Sequence, residues 1–91
     1  MRDIENIIGK AALLEQLAEE SAELAKAALK QSRIIRNENP TPVTMEASQF
    51  NLIEEFSDVI QCARELGLRP NDDQIHRKDI RWHNRINEKL K

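Results

Sequence analysis

The stretch Leu13-Leu14-Glu15-Gln16-Leu17-Ala18-Glu19-Glu20-Ser21-Ala22-Glu23-Leu24 decides how the rest of the chain is read. It is dense in Leu, Ala and Glu, the strongest helix formers, and contains neither glycine nor proline. On a wheel of about 100° per residue with Leu13 at zero, Leu17 and Leu24 fall near 40° and 20°. Glu20 falls near 340°, inside that apolar stripe. Glu23 lies three residues on, so the two carboxylates share a face and can act as one claw. Glu19 points near 240°, beside Lys26 and Lys30 at about 220° and 260°, and reads as an ordinary surface acid.

A second acid pair stands downstream in Glu55-Phe56-Ser57-Asp58. With Leu52 at zero, Phe56, Val59, Ala63 and Leu66 cluster within about 40°, and Glu55 falls near 300°. Glu55 also looks inward. Buried carboxylates are costly unless a cation, a donor or a metal stands beside them. Two inward acids with Glu23 and Asp58 at their flanks point to a metal.

Working outward, Asp3 is a candidate cap for a short turn over residues 3–8, and Gly9 weakens its continuation. Helix formers run from Lys10 to Arg36, and Asn37-Glu38-Asn39-Pro40 ends the helix because the residue before proline avoids the α region. Pro40-Thr41-Pro42-Val43 is the one clear linker. Thr44 caps a second long helix from Met45 to Leu66, stopped by Gly67 at C′ with Pro70 beyond. Asn71-Asp72-Asp73-Gln74 reads as a capping box opening a last helix towards Lys91. About 31 residues separate Glu23 from Glu55, enough for two antiparallel helices to bring both claws to one level.

Taken together, an E-E-x-x-E helix followed by an E-x-x-D helix resembles the MazG-like nucleoside triphosphate pyrophosphohydrolases, over roughly residues 10 to 66. The resemblance implies an all-α fold, with Glu20, Glu23, Glu55 and Asp58 as ligands of Mg2+, for which Mn2+ can substitute, and as the catalytic acids. The implied reaction converts a nucleoside triphosphate and water to the monophosphate and pyrophosphate. A phosphoribosyl-ATP pyrophosphatase shares these motifs and is the nearest rival. A non-catalytic helical adaptor that uses the same bundle to dimerise is the alternative from another class.

The charge distribution suits an anionic, metal-bound substrate. Residues 1–75 carry 8 Lys and Arg against 14 Asp and Glu, a net of −6. Residues 76–91 carry 6 against 2, a net of +4. Ile75, Trp82, Ile86 and Leu90 form one apolar stripe on the last helix, and Lys78, Arg81, Arg85 and Lys89 along its flank offer a phosphate-gripping edge. Trp82 has two readings, a base-stacking platform and a packing anchor. His76 and His83 share a face without a third ligand, which argues against zinc. Asn84 and Asn87 are open to base reading or to plain solvation. The acidic body argues against a nucleic-acid partner.

Ninety-one residues make one domain, small enough that broad apolar stripes call for association as a homodimer or homotetramer. Cys62 is the sole cysteine, so no intrachain disulfide can form, and it reads as a small core residue. No apolar run approaches the ~18 residues of a membrane span and no signal-peptide pattern opens the chain, so a cytoplasmic location is expected.

Overall fold

The computed structural model describes residues 4–38 and 43–90. All regular structure in them is helical: α1 (Ile4–Ile8), α2 (Lys10–Arg36), α3 (Met45–Glu65) and α4 (Asp72–Leu90). The expected cap Asp3, the Pro40-Thr41-Pro42 linker and Lys91 lie outside the described residues.

Local chemistry sets the helix ends. Gly9 takes φ 90°, open to an achiral residue and strained for others, and separates α1 from α2 rather than bending one helix. Asn37, at φ 55°, closes α2 in the left-handed conformation. The Glu38 amide then reaches the Arg33 carbonyl at 3.0 Å and the Asn37 amide reaches Ile34 at 3.1 Å, the two bonds of a Schellman end. Gly67, at φ 71°, repeats this after α3, with Leu68 N–H on the Ala63 carbonyl at 2.9 Å and Gly67 N–H on Arg64 at 3.0 Å. Thr44 Oγ1 accepts the Ala47 amide at 3.1 Å, as its N-cap position requires. At α4 only half of the capping box forms. Asn71 Oδ1 accepts the Gln74 amide at 3.0 Å, while the Gln74 side chain turns to Arg77.

α2 and α3 pack as an antiparallel hairpin. Gln31, late in α2, reaches Met45 at the start of α3, and Leu13 and Gln16, early in α2, share a hollow with Cys62 and Glu65 late in α3. α1 lies against α2. Among the described residues the buried ones are Leu13 and Ala27 on α2, and Ser48 and Cys62 on α3. Ser48, Glu55 and Cys62 recur every seven residues and lie near 280–320° on the α3 wheel, so the inner seam is centred on Glu55. The expected stripe is therefore displaced by about 60°. Phe56, placed by periodicity in the core, is 53% exposed, whereas small Ser48 and Cys62 let the two backbones approach.

α4 departs further from expectation. All its described residues are exposed, and it makes no extensive contact with α2 or α3. Trp82 is 60% exposed and anchors nothing. The arrangement is open, with a radius of gyration of 17.2 Å against about 12 Å for a compact chain of this length. No described helix is long and apolar enough to cross a membrane.

Candidate metal centre

The hairpin brings three of the four expected acids together. One carboxylate oxygen each from Glu20, Glu55 and Asp58 lies within 4.8 Å of the others. Glu20 comes from the middle of α2, and Glu55 and Asp58 from the middle of α3, so the antiparallel register carries out the convergence. Glu20 and Glu55 are half-buried in the seam, and Asp58 stands exposed at its edge.

Glu23, the fourth, is outside this trio. Its Oε1 lies 3.5 Å from Lys26 Nζ, both groups open to solvent. Lys26 thus serves Glu23, not Glu19 as the wheel had placed it. Among the described residues, no lysine or arginine forms an ion pair with Glu20, Glu55 or Asp58.

The electrostatics follow from that geometry. Partial desolvation, and then repulsion from Asp58, Glu23, Glu20 and Glu54, holds the Glu55 carboxyl above its ordinary value of 4.5. A divalent ion among these acids would offset the repulsion that acts on Glu55. Three hard oxygen donors converging from two helices fit magnesium, which keeps its remaining positions for water and substrate phosphate. Beneath them Cys62 is 5% exposed. Burial first, then Glu20, Asp58 and Glu65, pushes its thiol up from the ordinary 9.0, which leaves it a packing residue without thiolate character.

Sequence reading passes over the amides of this site. Gln16 Nε2 donates to Glu20 Oε1 at 2.8 Å and fixes that carboxylate. Gln61 and Glu65 line the same hollow, with Ile4 and Ile8 of α1 as its apolar rim. The signal was present in the spacing. Gln16 precedes Glu20 by one helical turn and Gln61 follows Asp58 by three residues, on shared faces.

The expected phosphate-binding residues form a separate place. Lys78, Arg81, Trp82 and Arg85 line one shallow concavity on α4, with Lys78 Nζ 5.9 Å from the Trp82 ring centroid. The structure groups these four but does not bring them onto the acids within the chain. His83 pairs with Asp79 at 3.3 Å, and Asn84 and Asn87 line another shallow depression with Glu88. Comparison with protein-family models, curated proteins and solved structures gives no match for this chain.

Proposed function

We propose that the chain is a magnesium-dependent nucleoside triphosphate pyrophosphohydrolase of the cytoplasm, assembled as a homodimer or homotetramer, with Mn2+ as a substitute ion. The observation that carries this is the uncompensated trio of Glu20, Glu55 and Asp58 at the centre of the hairpin. These three would hold the ion, and the bond that Gln16 donates would orient the Glu20 carboxylate. The ion supplies positive charge that stabilises the pyrophosphate as it leaves. Glu23, outside the trio and open to solvent, accepts the proton of the attacking water. Water adds to the α-phosphorus, the α–β bridging P–O bond breaks, and the monophosphate and pyrophosphate depart. Lys78, Arg81 and Arg85 are the cations available to the polyphosphate, and Trp82 the ring available to the base.

The test is incubation of pure protein with a panel of nucleoside and deoxynucleoside triphosphates and magnesium, with detection of pyrophosphate. Monophosphate and pyrophosphate should appear together. A diphosphate with orthophosphate as first products would contradict the assigned bond, and hydrolysis of phosphoribosyl-ATP alone would move the chain to the rival pyrophosphatase. No release from any substrate would favour the adaptor, a reading supported by the wholly exposed α4.

A further inference from the structure

The acids Glu20 and Asp58 stand at one end of a longer hollow. From Glu20 it runs past Gln16 to Leu13, towards the start of α2, and from Asp58 past Cys62 to Glu65, towards the end of α3. Ile4 and Ile8 of α1 line it as well. Glu20 and Leu13 are seven residues apart, as are Asp58 and Glu65, a span of about 10 Å at 1.5 Å per residue. That is the reach of one nucleoside from its 5′ phosphate. The volume of about 360 Å³ is that of a small-molecule site, which takes about 300–1,000 Å³.

The lining changes character along its length. Past the acids the floor is uncharged, formed by buried Leu13 and Cys62. Ile4 and Ile8 add apolar surface, 37% and 50% exposed, suited to the flat face of a base. Glu65, half-buried, is the one carboxylate at this end. Its bond from Gln61 Nε2 is 3.4 Å long, beyond the usual range of about 2.7–3.2 Å, and a carboxylate accepts several such bonds. Among the described residues, no lysine or arginine forms an ion pair with Glu65. An open acceptor therefore stands one nucleoside's length from the acids.

We propose that this hollow seats the nucleoside of the substrate, which rests on the pyrophosphohydrolase reading above, and that Glu65 selects its base. With the α-phosphate at the acids, the base lies against Ile4 and Ile8 and donates an amino N–H to the Glu65 carboxylate. Carboxylates accept in this way from the amino group of cytosine, whereas thymine and uracil place a carbonyl oxygen there. Two acceptors then face each other and the bond is lost. The favoured substrates are triphosphates of amino-bearing bases, over those of uracil and thymine. Glu65 sets specificity and touches no reacting atom. Gln16 and Gln61 are exposed, so the hollow is open on its outer side, and the second face of the base stays free for a ring such as Trp82.

Isothermal titration calorimetry of the full chain in magnesium tests this with the α,β-imido analogues of dCTP and dUTP, which resist hydrolysis at the assigned bond. The parent should bind the cytosine analogue at least about tenfold more tightly, as expected for a hydrogen bond to a charged group. Equal affinities, a preference for uracil, or binding of neither overturns the proposal. Glu65→Gln, whose amide can donate to the uracil carbonyl, should bind the uracil analogue more tightly than the parent does and lose the preference. A folded Glu65→Gln with the parent's preference overturns the role of Glu65. Ile8→Asn, on the exposed face of α1, should weaken both analogues severalfold and alike, and unchanged affinity for both overturns the base seat. Pyrophosphate release is followed separately on the hydrolysable triphosphates. Release with no base preference in binding overturns this seat and leaves the hydrolase reading standing, and selective binding with no release overturns that reading alone.

Discussion

α3 and α4 are near twins by local criteria and opposites by packing. They have 21 and 19 residues, a side-chain cap at the start of each, and acids in the first turn. α3 lies against α2 and buries Ser48 and Cys62, and α4 buries nothing. The difference is the seam. α3 offers small Ser48 and Cys62 on either side of Glu55 along its inner seam, and both are buried. α4 offers Trp82, Ile86 and Leu90 beside lysine and arginine, an edge suited to a partner the chain itself does not present. Amphipathicity makes a helix available for packing; the shape of its seam decides whether packing follows.

The largest effect should come from the one carboxyl that the α2–α3 contact disturbs. Glu55→Gln should lower hydrolysis by at least about a hundredfold, as expected for a group engaged in the transition state, while Glu88→Gln on α4 should leave it unchanged. The stability of the same variant sharpens the comparison. Glu55 titrates above its ordinary 4.5 in the fold, so the stability linked to it is fully present below that value and is lost as pH rises through the raised value. In EDTA, Glu55→Gln should therefore melt no lower than the parent at neutral pH, and its melting temperature should fall less with rising pH. Magnesium should stabilise the parent by about 2.7 kcal/mol at a hundredfold excess over Kd, and the variant by clearly less. Thermal melts in both buffers across pH check this. A variant destabilised equally with and without metal would mean that Glu55 has a structural partner and the trio holds no ion.

Next in size is a pair of truncations. Leu13→Ala removes the most buried leucine of the hairpin and should cost about 2–5 kcal/mol in urea unfolding. Ile86→Ala, on the exposed face of α4, should cost only a few tenths of a kcal/mol. Comparable losses at the two positions would show that α4 is packed in solution as firmly as the hairpin.

How much of this was legible in the sequence depends on the range of the signal. The four helices, the Lys10 and Arg36 limits of α2, the Thr44 and Asn71 caps and the stop at Gly67 rest on chemistry within a few residues, and the structure places them as the sequence implies. The inward direction of Glu20 and Glu55 was readable from the wheel because each lies among apolar neighbours of its own helix. The packing of α3 was not, since counting large apolar residues favours Phe56 while the actual contact is set by small Ser48 and Cys62 meeting the opposite helix. The isolation of α4 is a property of the whole chain, and no local pattern distinguishes a stripe with a partner from one without. Glu23 illustrates the same limit: its spacing to Glu20 is right, and Lys26 one turn on takes its carboxylate.

The smallest effect separates the two helices most directly. Thr44→Ala and Asn71→Ala remove the same kind of bond, a side-chain oxygen that accepts the amide three residues on, at 3.1 Å and 3.0 Å. Each should destabilise its own helix by about 1 kcal/mol. The consequence differs because the helices are coupled differently to the rest of the chain. α3 unfolds with the hairpin, so the loss of the Thr44 cap should appear in full in the global urea midpoint. α4 has no packing to share, so the loss of the Asn71 cap should appear as faster amide exchange in its first turn, with the global midpoint unchanged. Hydrogen exchange and urea unfolding on both variants decide the matter. If Asn71→Ala lowered the global midpoint as much as Thr44→Ala, α4 would belong to the same cooperative unit as the hairpin. Its exposed edge would then be covered in solution, and the contrast drawn between the two helices would fail.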